Sequence, residues 1–442
     1  MSSSASTETT GPSDSGPGRR RQSEIYGSGA RGRTPLVPTD PQALERRARR
    51  SMSRRAWAYV AGGAGQGRTV RHNSEAFERW RIVPRVLHGI GNRDLRTDLL
   101  GTCTRAPLLL APIGAAGLVR GDSDVLIARG AAVAGTPYVF SNQGCNSMEQ
   151  TAQAMGETPF WYQLYWSTDE DLVDSMIRRA EAAGASALVV TVDTTILGWR
   201  PQDLNLGSLP FARGEGLAQY ISDPRFTAIA AERASEPPPS GTKDEITLGA
   251  IATLLSMSRR YPGRLVDNLR SAMPRAAVQT FLDIYSNPAL SWDHLATMKQ
   301  RTRLPVLIKG ILHPDDARRA FELGMDGIIV SNHGGRQVDN AVASLDALVA
   351  VRDAVGPDPV VLFDSGIRSG ADVFVALALG ADACLLGRPH LYGLALAGAD
   401  GVRQVIENVV AELDLIMGLT GVARIGDIGR AHVQEAPSAW RP

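Results

Sequence analysis

The stretch IIVSNHGGRQVD, which starts at Ile328, carries a histidine and an arginine shortly after three strongly apolar residues. A histidine at the end of a buried strand can act as a general base near neutral pH. An arginine three positions later can hold a carboxylate through two parallel hydrogen bonds. His333 and Arg336 are therefore candidate catalytic residues, with Arg200 as a second candidate ligand for a carboxylate. A lone histidine at a strand end is more often a satisfied core residue, but the position beside Arg336 and opposite Asp193 favours catalysis.

Eight short apolar runs, each followed by small or polar residues and a helical pattern, repeat along the chain from Pro107 onward. They read PLLLAPIG, PYVFSN, PFWYQLY, ALVVTVD, PVLIKG, GIIVSNHGG, PVVLFDSG and ACLLGR. Nearly continuous apolar strands separated by helices are typical of a parallel sheet buried on both faces. We therefore predict an α/β fold of the (β/α)8 TIM barrel type, with the active site at the carboxyl ends of the strands. An open doubly wound sheet is the alternative, but it usually has fewer strands and a switch point that is not evident here.

The polar residues that follow the last two runs predict a phosphate site. DSGIRSGAD places glycines and Arg368 before a helix, and LGRP supplies Gly387 and Arg388. Glycines let backbone N–H groups approach an anion, arginines add forked donors, and the helix dipole favours negative charge. Barrels often hold phosphate after strands seven and eight, which is the place of these residues.

The ends of the earlier runs suit a flat, polar heterocycle. Ser141, Gln163 and Thr191 offer hydrogen bonds, and Lys309 offers a positive charge. A flavin ring needs such a charge near N1 when its reduced form becomes anionic. The alternative for Lys309 is a structural lysine that pairs with a carboxylate.

Two segments depart from the repeat. The first 23 residues are rich in Ser, Thr, Gly and Pro and predict a disordered tail, which leaves residues 24–442 as the barrel domain. The interval from Arg200 to Lys309 is much longer than one βα unit needs, and it predicts an insertion at about 203–290 after the fourth strand. Within it, SEPPPSGTKD predicts a flexible joint and ITLGAIATLLSMSRRY a helix. Long loops on the catalytic face are commonly lids, so we expect a lid here.

Composition limits the partners. The formal net charge of +1 gives no basic field for nucleic acid. Cys103, Cys145 and Cys384 lie far apart, without the spacing of a metal site or disulfide framework, which favours a reducing cytoplasm. Neither a membrane-spanning run nor the apolar core of a signal peptide is present. ERRARRSMSRRAW predicts an arginine-rich helix, either with a solvated face or in contact with an anionic membrane surface.

From about Glu24 to the C-terminal helix, the chain resembles the FMN-dependent α-hydroxy acid oxidase and dehydrogenase family. The most specific motif is SNHGGRQ, supported by AYVAGGAG, QLY, TVDTTILGWR, IKG, DSGIR and LGRP in the family's order. Within the family, EIYGSGARG, WRPQDL, the extended loop, GILHPDDARRA and AELDLIMGLTG are most similar to the lactate 2-monooxygenase subgroup.

The resemblance implies a role for each matching residue. His333 would take a proton from the substrate, and Asp193 would orient the imidazole and raise its pKa by opposite charge. Arg336 and Arg200 would hold the substrate carboxylate, while Tyr59 and Tyr165 would line the pocket and hydrogen-bond the substrate. The FMN-binding positions would be Pro112, Ile113, Gly114, Ser141, Gln163, Thr191, Lys309, Ser331, Asp364, Ser365, Gly366, Ile367, Arg368, Gly387 and Arg388.

The resemblance also implies an activity, the oxidation of a small L-2-hydroxy acid such as lactate by a homo-oligomer, a tetramer or octamer. In monooxygenase members the keto acid stays in the closed site and nascent peroxide decarboxylates it, so that lactate and O2 give acetate, carbon dioxide and water. The alternatives are an oxidase that releases hydrogen peroxide, a membrane-associated dehydrogenase that uses a quinone, and a barrel that only binds FMN. Asn142 and Gln143 stand where many oxidases carry an aromatic residue, which leaves the size of the substrate side chain open.

Overall fold

The computed structural model describes residues 16–236 and 247–436 of the 442-residue chain. Within these ranges, eight parallel strands close into a barrel in which the last strand pairs with the first. The strands are β1 (Leu108–Leu110), β2 (Tyr138–Phe140), β3 (Phe160–Leu164), β4 (Leu188–Thr191), β5 (Val306–Ile311), β6 (Gly327–Val330), β7 (Val360–Phe363) and β8 (Ala383–Leu386). All eight apolar runs are confirmed as strands, and the closure of β8 on β1 excludes the open sheet.

Side chains that alternate along the strands fill the barrel and bind it to its helices. Those that point inward form one closed cluster: Leu109, Val139, Trp161, Val189, Leu307, Ile329, Leu362 and Leu385. Their neighbours along each strand point outward into the larger apolar core shared with the helices. Burial on both faces is the physical reason why these strands are apolar throughout, as expected for a parallel sheet.

Helices precede the barrel, connect its strands and follow it. In chain order the described helices are α1 (Pro17–Gly29), α2 (Pro41–Ser51), α3 (Arg54–Ala61), α4 (Arg68–Glu78), α5 (Ser123–Ala134), α6 (Met148–Met155), α7 (Glu170–Ala182), α8 (Pro201–Leu204), α9 (Ala218–Ile221), α10 (Pro224–Ser235), α11 (Leu248–Arg260), α12 (Leu265–Arg270), α13 (Met273–Ile284), α14 (Trp292–Ala296), α15 (Met298–Arg301), α16 (Pro314–Glu322), α17 (Ser344–Val355), α18 (Gly370–Ala378) and α19 (Arg388–Thr420).

Helix α1 corrects the prediction of disorder over residues 1–23, because the helix begins at Pro17. The part of that segment up to residue 15 lies outside the described residues. The helix packs on α19 through polar contacts: Arg21 is 7% exposed and lies 3.3 Å from Glu407, and a backbone N–H of α1 donates to Asp414 at 2.9 Å. A segment with little to bury is thus held in place by charge and hydrogen bonding.

The arginine-rich segment forms two helices, α2 and α3, where the sequence predicted one. Met52 and Ser53 between them are extended, and the hydroxyl of Ser53 accepts from the N–H of Ala56, so this serine caps α3 and separates it from α2. No helix in the described part of the chain combines the length and the apolar content needed to cross a bilayer.

The insertion follows the fourth barrel strand, as predicted, and carries α8 to α13. The helix expected from ITLGAIATLLSMSRRY is confirmed as α11, whereas most of the expected joint SEPPPSGTKD lies outside the described residues. Aromatic rings form the core of the insertion: Phe281 stacks on Tyr285 at 4.9 Å, and Phe211 lies 5.3 Å from Phe281. Glu215 pairs with Arg260, which fastens α11 to the loop that carries Phe211.

Candidate active site

A cavity opens at the carboxyl ends of the strands, where the barrel fold predicts the active site. Most of the predicted site residues line it: Tyr59, Pro112, Ile113, Gly114, Tyr165, Arg200, Lys309, His333, Arg336, Asp364, Ser365, Gly366, Ile367, Arg368, Gly387 and Arg388. The remaining five lie in or behind its walls and do not line it directly: Ser141, Gln163, Thr191, Asp193 and Ser331. Residues scattered over more than 300 positions are thus brought to one place.

His333 and Asp193 form a close pair at this mouth. Nδ1 of the imidazole lies 2.8 Å from Oδ1 of Asp193, and the hydroxyl of Thr194 lies within 3.2 Å of both atoms. Because an ionised carboxylate only accepts hydrogen bonds, Nδ1 carries the ring proton and Nε2 keeps its lone pair. Nε2 makes no hydrogen bond to a described residue, so His333 is arranged as a base that faces the cavity.

The electrostatics of this pair differ from the expectation. Burial lowers the pKa of His333 below its ordinary value, and the carboxylate of Asp193 offsets only part of that effect. Burial also disfavours the charge on Asp193, but His333 and Lys309 outweigh it and hold the pKa of Asp193 at about 2. The expected effect of Asp193 is present, since its charge raises the pKa of His333, but desolvation exceeds the attraction of one carboxylate and the net shift is downward. At neutral pH the site holds a neutral imidazole beside an ionised carboxylate.

The backbone at His333 has an uncommon conformation. Its φ is +56°, in the left-handed region that non-glycine residues rarely adopt, and Gly334 and Gly335 follow with φ of +63° and +74°. The turn is fixed from both sides: Ser331 accepts from the N–H of His333 at 3.0 Å, and the side chain of Asn332 accepts from the N–H of Gly335 at 3.0 Å. The chain thereby turns sharply out of β6 and presents the imidazole to the cavity.

Arg336 and Arg200 lie side by side at the rim. The guanidinium of Arg336 stacks 4.7 Å above the ring of Tyr59 and donates to the backbone carbonyls of Tyr59 and Gly62. Arg200 donates to the carbonyl of Arg336 and to the side chain of Gln337. Burial, with a contribution from Arg200, lowers the pKa of Arg336 to about 9. Neither arginine forms a salt bridge within the described residues, so the pair is arranged to receive an anion.

The part of the cavity around Lys309 has the charge and the donors that a flavin requires. Nζ of Lys309 lies 2.8 Å from the Ser331 hydroxyl and 3.1 Å from Asp364. Burial disfavours the ammonium of Lys309, but Asp364 and Asp193 more than compensate and raise its pKa. Lys309 therefore pairs with a carboxylate and also lines the cavity, so the two interpretations of this lysine do not exclude each other.

Two buried donors on the neighbouring strands β3 and β4 are unpaired in the described part of the chain. Nε2 of Gln163 and Oγ1 of Thr191 make no hydrogen bond within the described residues, although both side chains are almost fully buried. An unsatisfied buried donor is costly, so these atoms fit a polar group that is bound between them. Ser141 differs, because its hydroxyl already accepts from the N–H of Gln143 at 3.1 Å. The residues of this wall fit the isoalloxazine of FMN.

The residues predicted to hold a phosphate line the cavity, and the structure shows which of their donors are already engaged. Arg368 donates through Nη1 to its neighbour's carbonyl and has further donors free of described partners, whereas Arg388 donates to the carbonyls of Val60, Gly62 and Gly334, each at 2.9 Å. A phosphate contact from Arg388 stays a prediction. Arg368 therefore keeps more of its five N–H donors available for an anion than Arg388 does.

The start of α18 is also different from the expectation. Its first N–H groups donate to Glu412 and to the Ser369 hydroxyl, and the carboxylate of Asp372 accepts from the N–H of Arg368. This helix end is therefore capped by the chain itself and is not open to an anion. Gly366 remains essential to the turn before it: its φ is +122°, and a Cβ atom there would lie 2.8 Å from the ring of Phe77.

The structure adds residues that the sequence did not indicate. Thr194 bridges His333 and Asp193, and its place directly after Asp193 in TVDTTILGWR was the available signal. Phe211 and Tyr285 of the insertion form part of the cavity wall, and Phe211 meets the ring of Tyr59 edge-on at 6.4 Å. No periodic pattern marks these two aromatic residues, because their position depends on how the whole insertion folds.

Comparison with known proteins supports this assignment of the cavity. A family model described as FMN-dependent dehydrogenase matches residues 48–435. The chain is 38% identical to the FMN-dependent alpha-hydroxy acid dehydrogenase qulF of Penicillium citrinum, over 92% of this chain and 94% of that protein. It is 39% identical to an L-lactate oxidase of Lysinibacillus sphaericus, over 84% of this chain and 86% of that protein. A solved structure of mandelate oxidase with a hydroxy acid ligand superposes with a TM-score of 0.71 at 31% identity, covering 90% of this chain and 100% of that one.

Proposed function

Because the chain belongs to the FMN-dependent dehydrogenase family, whose members here oxidise α-hydroxy acids with FMN, we propose that its substrate is a small L-2-hydroxy acid of the lactate type. The observation that carries this proposal is that one cavity is lined by His333, which pairs with Asp193, and by the arginine pair Arg200–Arg336. One pair accepts a proton, and the other receives a carboxylate.

The side chains divide the work of oxidation. The two guanidiniums hold the substrate carboxylate, which places the hydroxyl-bearing carbon near Nε2 of His333. Burial raises the pKa of both Tyr59 and Tyr165, so their hydroxyls stay protonated and can donate to the substrate. His333 takes one proton at Nε2, and the resulting imidazolium is stabilised by Asp193. FMN, when bound, supplies the acceptor for the two electrons that leave the substrate.

We further propose that the keto acid is decarboxylated before it leaves, as in lactate 2-monooxygenase. The support is the roof formed by the insertion, in which Phe211 and Tyr285 cover the cavity and the Glu215–Arg260 ion pair fastens α11 beside them. Slow product release through such a roof keeps the keto acid in place while oxygen is reduced. The balanced reaction is lactate plus O2 to acetate, carbon dioxide and water.

A second candidate is an oxidase that releases the keto acid and hydrogen peroxide. The similarity to an L-lactate oxidase over most of both chains favours it. The two candidates share the first half-reaction and differ only in what becomes of the keto acid.

The test has two stages. Purified holoprotein is mixed with L-lactate without oxygen, and the loss of flavin absorbance near 450 nm is followed; absence of bleaching by every small L-2-hydroxy acid would contradict the first proposal. Air is then admitted and the products are measured. Acetate and carbon dioxide without free peroxide support the monooxygenase. Pyruvate and hydrogen peroxide in equal amounts, without acetate, identify an oxidase.

A further inference from the structure

Gln143 is a buried residue that lines the cavity, and the described residues leave its side-chain amide unpaired. It follows β2, is 6% exposed and lines the cavity, yet its amide makes no hydrogen bond to a described residue. Its neighbour Asn142 contrasts with it, since that amide is fully engaged with the hydroxyls of Tyr162 and Tyr220, each at 2.6 Å. Because Gln143 lines the cavity, this unpaired amide can form hydrogen bonds to a ligand that enters it.

The surroundings of Gln143 fix where this amide lies. Its backbone N–H donates to Ser141 and its carbonyl accepts from the N–H of Ala115 at 2.9 Å, so the main chain is held in place. A Cβ atom placed at Gly114 would lie 2.9 Å from Oε1 of Gln143, and one placed at Gly216 would lie 2.9 Å from its carbonyl and 3.0 Å from the ring of Phe211. The side-chain amide of Gln143 therefore lies beside the end of β1, and its backbone carbonyl lies next to Gly216 of the insertion.

The rest of this part of the cavity is mainly apolar. Phe211 lies close to Gln143 across Gly216 and stacks on Tyr285 at 6.4 Å, and the two arginines are already assigned to the substrate carboxylate. A substrate side chain that enters this part of the cavity therefore meets aromatic surface and one neutral amide. An amide both donates and accepts hydrogen bonds but carries no charge, so it pairs with a hydroxyl or another amide better than with a second carboxylate.

We propose that Gln143 selects 2-hydroxy acids whose side chain carries a neutral hydrogen-bonding group, such as a hydroxymethyl group. This inference rests on the proposed function, because it assumes that a 2-hydroxy acid binds with its carboxylate on Arg200 and Arg336. It adds a hydrogen bond that recognises the substrate side chain. Without that hydrogen bond, this position would select substrates by size alone.

The test compares two substrates of nearly equal size. L-Glycerate carries a hydroxymethyl group where L-2-hydroxybutyrate carries an ethyl group, so they differ by one hydroxyl in place of one methyl. Anaerobic flavin reduction gives kred/Kd for each with the native holoprotein. A buried hydrogen bond predicts a preference of about tenfold or more for glycerate. Equal values, or a preference for 2-hydroxybutyrate, would overturn the inference without any variant.

Gln143→Met then assigns the preference to the amide, since methionine has nearly the same length but no strong donor or acceptor. We expect the ratio of kred/Kd for glycerate to kred/Kd for 2-hydroxybutyrate to fall by about tenfold, with FMN still bound. Gln279→Met, at an exposed position on α13, is the matched control. A preference that survives Gln143→Met, or an equal loss for both substrates together with weaker FMN binding, would overturn the inference. Failure of every 2-hydroxy acid to reduce the native flavin would instead overturn the proposed function beneath it.

Discussion

Replacing Asp193 by Asn tests how the base is supported. The two side chains are nearly isosteric, and an asparagine oxygen can still accept from Nδ1 of His333 across the present 2.8 Å. The substitution removes the negative charge that faces the imidazole. The side chain of His333 is only 20% exposed. The neutral imidazole should be little affected, whereas the imidazolium that forms during proton transfer loses its counter-charge.

The size of the effect follows from these contacts. Removing one member of a buried ion pair costs about 3–5 kcal/mol, and the hydrogen bond that asparagine retains returns about 1 kcal/mol. A net rise of about 2–4 kcal/mol in the barrier corresponds to a fall of about 30- to 1000-fold in the rate of flavin reduction. Because Asp193 raises the pKa of His333 against the effect of burial, its loss should also move the acid midpoint of the reaction to lower pH.

Stopped-flow reduction of the flavin by L-lactate, measured from about pH 4 to pH 9, gives both quantities. Asp98→Asn is the control, since this exposed carboxylate only accepts from a turn N–H and asparagine can do the same. A variant that merely disturbed packing would be slower without a shift of the midpoint. A rate within threefold of the native one, or a midpoint that moves to higher pH, would refute the reasoning about this pair.

Three further outcomes follow from the site. His333→Ala should keep bound FMN and its colour but bleach about 10²- to 10⁴-fold more slowly with L-lactate, and bleaching at the native rate would remove His333 from the role of base. Arg336→Lys should raise the substrate Kd by about tenfold or more, because a point charge cannot reproduce the fork; an unchanged Kd in anaerobic titration would count against the carboxylate site. In the native enzyme kcat/KM should decline with acid, since protonated His333 cannot accept a proton. The midpoint should lie below the ordinary histidine value of 6.5, and a midpoint above it would contradict the effect of burial.

The barrel could be predicted from the sequence because the physics of a parallel sheet leaves a strong pattern. Strands such as Leu188–Thr191 and Gly327–Val330 are buried on both faces and must be apolar along their whole length. Closing eight such strands into a barrel brings their carboxyl ends together. Lys309 and His333 must then lie at the same end of the barrel. The identity of the candidate site therefore followed from local residues and a single topological rule.

What the sequence did not show depends on distant contacts. Helix α1 lies in a segment of low hydrophobicity, and what holds it is the approach of Arg21 to Glu407 on α19. The lowered pKa of His333 results from burial that no local pattern records. Likewise, the N–H groups of Arg388 donate to carbonyls from other parts of the chain. The residue type and sequence position of Arg388 alone could not show these hydrogen bonds.

The hydrogen bond from Arg388 to the carbonyl of Val60 joins residues 328 positions apart, and the same guanidinium holds the turn beside the imidazole. Contacts between such remote segments form late, because the entropy of bringing them together opposes earlier closure. A nascent chain that has emerged only as far as its seventh strand lacks this clamp. We therefore expect the active site to become functional only after the ribosome has synthesised the last βα unit. A partly synthesised chain should then have no catalytic activity.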